Sequence, residues 1–355
     1  MLLYKKLLPV DFHCHGIGKF DFGRPKDFDL KKMNKILEIE GIRAVLTLSL
    51  PEGGITELEE LLYTFSKGSQ KGRFGNILGL SVEGPVLAKV GGTPKAGAWN
   101  PTKSEWLQIA KLGKSGLLYM VISPGMDVFD GEEYPEDTFW IMAKLLENGV
   151  MPALGHFGDL NQEDVAVEID RICDYALATE TGPIITDHLF NDMPLNFVHS
   201  WRSDKDRSKR AAELELQSGI FKPGIDLSTA MGIIPATLIS NAKRGALKVC
   251  LNFDGDHVDI EVCKNTVKLV GAENVLLMTD RISSKIFGGH RVSQNAENSL
   301  LYQEDGIVAG GSQSVINQLG NMLKVGISGD EVYRITFQNP YDLLIRRLQS
   351  SEHAG

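Results

Sequence analysis

No apolar run in this 355-residue chain is long enough to span a bilayer, and no basic block interrupts its net charge of −9. A membrane-spanning helical protein and a nucleic-acid-binding protein are therefore both poor descriptions. The opening MLLYKKLLPV has too short an apolar stretch for a signal peptide. Only four cysteines occur, Cys14, Cys173, Cys250 and Cys263, without C-x-x-C spacing. That is far from a disulfide scaffold and is read as the reduced thiols of a cytoplasmic protein. A G-x-S-x-G nucleophile elbow and a G-x-x-x-x-G-K-S/T phosphate loop are both missing, which leaves serine-type catalysis and P-loop phosphate binding without support.

What is present is ample core material, with 43% hydrophobic and 23% charged residues. Runs rich in Val, Ile and Leu fall at about Leu8 to His13, Arg43 to Leu50, Asn76 to Val82, Gly116 to Ser123, Val150 to His156, Pro183 to Phe190, Leu247 to Phe253 and Asn274 to Asp280. Several are nearly continuous apolar, as strands buried on both faces are. Helical periodicity lies between most of them. DLKKMNKILEIEG stops at Gly41, Thr56 with Glu59 has capping-box spacing, Asn161 can cap EDVAVEIDRICDYAL, and DIEVCKNTVKLVG and SQSVINQLGNMLKVG follow, the last opening at Ser312. The alternation predicts an α/β fold, a (β/α)8 TIM-type barrel occupying residues 1–355 as one domain. Lys89 to Asn100 and Phe197 to Ala230 break the rhythm as long loops, and RSDKDRSKR, from Arg202 to Arg210, reads as a solvated loop.

Ligand-type residues recur at the ends of the predicted strands: His13 and His15 in DFHCHG, Glu83 in SVEGP, His156 in ALGHFG, His188 in TDHLFN, His257 in DGDHV and Asp280 in LLMTD. Residues two apart on a strand share a face, so His13 and His15 point into one cavity while Cys14 points away. Imidazoles and a carboxylate of this kind suit zinc, and also iron, manganese or cobalt, as one or two divalent ions. Asp280 is then placed to move a proton to and from attacking water and a leaving group. The residue types favour hydrolysis of an amide or similar bond.

With these motifs in this order the chain resembles the amidohydrolase superfamily, and within it the N-acetylglucosamine-6-phosphate deacetylases. DFHCHG is similar to the first-strand H-x-H, GLSVEGPVLA to the E-G-P motif, LGHFGD to the fifth-strand histidine motif, DHLFNDM to H-L-F-N-A-M and DGDHV to D-G-x-H. The resemblance covers about Pro9 to Pro340. It implies Glu83, His156 and His188 as ligands of a main metal, His13 and His15 as ligands of a second, and Asp280 as the acid/base. It further implies that Asn191 and His257 contact the sugar or its phosphate and that the backbone around Gly310 and Ser312 lies near the substrate. The substrate class implied is a small N-acylated amino sugar or sugar phosphate, handled by a cytoplasmic homodimer of carbohydrate metabolism.

Departures from the family bear on the substrate. Trp99 stands in G-A-W-N where the family has G-A-H-N, Arg202 lies several residues late for the phosphate-binding arginine, and Arg281 follows Asp280 where the family has a small residue. Trp99, Arg202 and Arg281 are accordingly candidate substrate contacts. Little or no sequence is left for the family's flanking β-sandwich. The alternatives are a barrel amidohydrolase acting on a different N-acyl or cyclic amide, or a barrel without catalysis that serves as a binding subunit.

Overall fold

Apolar runs with β-branched and large aliphatic residues pair best where both faces are covered, and eight of them do so here. In the computed structural model, which describes residues 7–129 and 137–344, they form β1 (Val10–Cys14), β2 (Arg43–Ser49), β3 (Ile77–Glu83), β4 (Leu117–Ile122), β5 (Met151–Leu154), β6 (Ile184–His188), β7 (Leu247–Leu251) and β8 (Val275–Leu277). Residues 1–6 of the opening segment and 345–355 of the expected domain lie outside the described residues. The eight strands are parallel neighbours in sequence order. Past the end of β8 the backbone returns to β1, where the Asp280 N–H donates to the His13 carbonyl (3.1 Å) and the His15 N–H donates to the Arg281 carbonyl (2.8 Å). The result is the nearly closed barrel that the alternation of elements predicts.

Phe12, Val45, Tyr119, Val121, Ile185 and Cys250 fill the barrel interior, and a larger apolar layer, including Cys14, separates the strands from the helices. Arg43 sits over the ring of Tyr341 at 5.5 Å, and the Tyr341 hydroxyl donates to the Leu8 carbonyl (3.3 Å), so the end of the chain's described part covers the barrel's N-terminal mouth. No helix among the described residues is long and apolar enough to cross a membrane.

The helices begin and end where local chemistry dictates. Asp29 accepts from the Lys32 N–H to start Leu30–Glu40, and Gly41, at φ 68°, ends it in the left-handed conformation that glycine tolerates. Asn161 caps Gln162–Ala178. Thr56 lies inside its helix, Ile55–Gln70, which starts from Gly54 without a side-chain cap, and the helix expected to open at Ser312 is capped by Ser314 instead. RSDKDRSKR is not a loop. Ser203 accepts from the Asp206 N–H, Asp204 and Asp206 favour the positive N-terminus, and the helix Asp204–Gln217 follows. Its Arg210 pairs with Asp259 at 3.0 Å and its Arg207 pairs with Asp256.

Five short strands after β8 were not legible: β9 (Ile286–Phe287), β10 (His290–Arg291), β11 (Ser293–Gln294), β12 (Leu300–Tyr302) and β13 (Val308–Gly311) form two small antiparallel sheets. Two to four residues carry no measurable alternation. This insertion packs on the loop after β3, with Gln303 Nε2 donating to the Gly92 carbonyl (2.7 Å); a Cβ on Gly92 would lie 2.2 Å from the Val308 oxygen.

Two of the barrel's register slips bear on the site, that of β1 between Asp11 and Cys14 against β2 and that of β6 between Ile185 and His188 against β7. Such bulges re-aim side chains. In β1 the slip leaves Asp11 outside the barrel lumen while His13 and His15 turn inward. Arg281 follows Asp11 outward, a correction to its expected place at the substrate. Its Nη2 lies 2.6 Å from Glu40 Oε2, in the last turn of the first helix, and its Nε lies 3.7 Å from Asp11 Oδ2. Burial raises the Asp11 pKa, against the pull of Arg281. Arg281→Met strips a fully buried carboxylate of its counter-charge and is expected to cost about 3 kcal/mol of stability in urea denaturation. Unchanged stability with a selective rise in KM would return Arg281 to the substrate.

Candidate metal centre

Five strand ends converge on one point. One cluster joins Glu83 at the end of β3, His156 two residues past β5, and Asp187 and His188 of β6; a second joins His13 and His15 of β1 with Asp280 past β8. All seven are buried. His156 and Asp280 adopt φ of 55° and 49°, left-handed conformations uncommon for side chains of this kind and concentrated at functional sites.

Glu83 spans both clusters. Its Oε2 lies 2.9 Å from His15 Nε2 and 3.2 Å from His13 Nε2, and its Oε1 lies 3.6 Å from His156 Nε2. Oε1 also accepts a short hydrogen bond from the Thr93 hydroxyl. His13 and His15 Nε2 are 2.9 Å apart, and Asp280 Oδ1 is 3.5 Å from His15 Nε2. On the other side Asp187 Oδ2 is 3.3 Å from His156 Nε2 and 3.2 Å from His188 Nε2.

The outer hydrogen bonds fix which nitrogen faces inward. His15 Nδ1 donates to the Thr47 carbonyl (3.1 Å) and His156 Nδ1 donates to the Lys89 carbonyl (2.7 Å), leaving each Nε2 as a lone-pair donor. His13 Nδ1 meets the Tyr119 hydroxyl at 3.0 Å, and that hydroxyl is bonded to Thr47, which accepts from Ser81. The loop after β3 is pinned to His156, past β5, by the Lys89 contacts and to Ser123, past β4, whose hydroxyl accepts from the Ala88 N–H at 2.9 Å.

The buried atoms without hydrogen-bond partners point to what the cluster holds. They include His156 Nε2 and both oxygens of Asp187. Buried polar atoms are nearly always satisfied, and crowded buried carboxylates repel unless a cation lies among them. Burial opposes the charged forms of His15 and His156. Glu83 overrides it at His15, raising its pKa to about 9, and the neighbouring Asp187 carboxylate, with Glu83, does so at His156, raising its pKa to about 10. Imidazole, carboxylate and unsatisfied donors together fit a divalent ion, for which protons at these histidines would be competitors.

His257 lies between Asp254 Oδ2 (2.5 Å from Nδ1) and Asp280 Oδ2 (3.2 Å from Nε2). Burial works against its charge, but Asp254 and then Asp280 raise its pKa to about 10. Asn191 is buried with both side-chain polar atoms unpartnered. Gly311 lies against the site, since a Cβ there would fall 3.0 Å from His257 Cε1, whereas one on Gly310 would fall 2.6 Å from the Asp280 backbone carbonyl oxygen. The Ser312 hydroxyl is exposed and turned to the Ser299 carbonyl (2.7 Å). Trp99 does not lie free over the metal cluster: its indole N–H donates to the Leu50 carbonyl (2.9 Å) and its ring packs on the core. Arg202 stands apart from the ligand cluster, beside His199, whose pKa falls to about 4 through burial and then the Arg202 charge.

Two residues at the site escaped the sequence reading. Asp187 was hidden because alternation gives only one of two adjacent strand residues to the lumen, and the β6 bulge supplies both. His199, in the segment after β6, carried no motif; its only signal was an imidazole beside Arg202. Lys89 Nζ, 3.1 Å from Asp192 Oδ1, is a third unremarked charge at the mouth.

The chain's fold is similar to solved N-acetylglucosamine-6-phosphate deacetylases. A variant of the Mycobacterium smegmatis enzyme, in complex with N-acetyl-D-glucosamine-6-phosphate, is 18% identical with a TM-score of 0.68, over 95% of this chain and 77% of that one. The Pasteurella multocida enzyme is 17% identical with a TM-score of 0.66, over 96% and 77%. That of Thermotoga maritima is 18% identical with a TM-score of 0.62, over 95% and 78%. No family model and no curated protein matches the chain.

Because protons and ion compete for His15 and His156, zinc binding near pH 7 is expected to release at least about one proton per ion. Calorimetric titrations in buffers of different ionisation enthalpy measure this. Heats that do not depend on the buffer would contradict the proposed ligands.

Proposed function

We propose that the protein is a metal-dependent amidohydrolase that removes an N-acetyl or other N-acyl group from an amino sugar or sugar phosphate. The observation that carries this reading is Asp280, a buried carboxylate at the end of the last barrel strand, next to His15 and His257 and across from Glu83, His156 and His188. The fold shared with the deacetylases supports the same substrate class.

Glu83, His156 and His188 would hold the main ion, and His13 with His15 would allow another. A bound divalent ion supplies charge that polarises an acyl carbonyl and eases the ionisation of attacking water. Asp280 accepts the proton from that water as its oxygen attacks the carbonyl carbon, then delivers it to the nitrogen as the C–N bond breaks, so that carboxylate and amine leave. His257, held protonated between two carboxylates, turns its Nε2 to Asp280 Oδ2 and so positions that carboxylate. Asn191 offers a donor and an acceptor to the sugar, and the glycines of β13 let it approach closely. Lys89 and Arg202 give the mouth positive charge suited to an anionic substituent, balanced in part by Asp192, while His199 beside Arg202 stays neutral near pH 7.

Asp280→Asn keeps the size and loses the base. Acetate release from an N-acetylated amino sugar is expected to fall by about 10²–10⁴, with metal content retained. Near-normal turnover in this variant would assign the proton transfer to another group. His156→Ala combined with His188→Ala is expected to lose the main ion; full metal content in that variant would displace the ligand assignment.

A further inference from the structure

We infer that Asp187 is a direct ligand of the main ion, giving it two carboxylates and two imidazoles, a hard donor set that raises its affinity for manganese(II) or iron(II) relative to zinc. The inference rests on the metal-dependent reading above and extends it to a residue that the strand alternation placed outside the site.

The β6 register slip turns both Asp187 and His188 into the lumen. Asp187 is 1% exposed, and neither of its oxygens has a hydrogen-bond partner. A carboxylate kept only to orient a histidine would make such a bond. The distance that tests this is His13 Nδ1 to Asp187 Oδ1, at 3.4 Å, while His13 Nδ1 has a closer partner in the Tyr119 hydroxyl at 3.0 Å.

The donor spacing supports ligation. Atoms bound at about 2.1 Å to one ion stand about 3.0 Å apart along an octahedral edge and about 3.4 Å along a tetrahedral one. Asp187 Oδ2 lies 3.3 Å from His156 Nε2 and 3.2 Å from His188 Nε2, and His156 Nε2 lies 3.6 Å from Glu83 Oε1. These donors already have the spacing of one coordination shell. Replacing an imidazole-dominated shell by one with two carboxylates neutralises a divalent ion's charge and hardens the site, which favours manganese or iron relative to the borderline zinc.

The test is titration of manganese(II) and zinc(II) separately into metal-free wild type, Asp187→Asn and Asp187→Glu, with circular dichroism confirming the fold. Asp187→Asn is expected to weaken manganese by at least about 100-fold and zinc by only about 10-fold, and Asp187→Glu to restore part of the manganese affinity. Equal, small losses for both ions in Asp187→Asn would overturn the inference. A crystal of the wild type with manganese tests it without any substitution: an ion-to-Asp187 oxygen distance of about 2.2 Å supports ligation, and one beyond about 3.5 Å overturns it. Failure of the substrate reading looks different. A protein that binds manganese through Asp187 but hydrolyses no N-acyl sugar keeps this inference and loses the proposed function, whereas hydrolysis with Asp187 unbound does the reverse.

Discussion

Three carboxylates, Glu83, Asp187 and Asp280, are buried together at one end of the barrel, and that crowding of like charge is the constraint on which the rest of the site depends. It is tolerable only because four imidazoles, His13, His15, His156 and His188, stand among them. The barrel makes the crowding feasible by delivering the three carboxylates from three separate strand ends, those of β3, β6 and β8, so no single loop has to bear the strain. The left-handed backbone at His156 and Asp280 is held by the surrounding packing and hydrogen bonds. The Thr47, Ser81 and Tyr119 hydroxyls beneath His13, and the Thr47 and Lys89 carbonyls behind His15 and His156, keep the imidazole rings from turning.

The walls of the site are tied to it. The loop after β3 is bonded to His156, past β5, through Lys89, to Ser123, past β4, through Ala88 and to Glu83 through Thr93, and the small sheets after β8 lean on the same loop through Gln303. This loop therefore braces the buried cluster. Its Trp99, tied to Leu50, belongs to that support.

The barrel was legible because long parallel strands buried on both faces leave a strong apolar signature, and the ligand-type residues were legible because they interrupt it at one end. Where the reading failed, a local physical term overrode the period of two or 3.6. The β6 bulge hid Asp187. Arg281 turns away from the lumen toward Asp11 and Glu40, partners distant in sequence that no local period announces. The helix at Asp204–Gln217 was obscured by its high charge, which resembles a solvated loop until the Ser203 cap is counted. The strands β9 to β13 are too short to leave any periodic trace.

Acetate release by purified, metal-loaded protein tests the central claim most directly, with N-acetylglucosamine and N-acetylglucosamine 6-phosphate offered side by side and a chelator-stripped sample as reference. The expected result is equimolar acetate and free amine from at least one of the two sugars, abolished by stripping and restored by adding back manganese, iron, cobalt or zinc. Full occupancy of the metal cluster with no acyl release from either sugar, or from other N-acyl amino sugars, would contradict it.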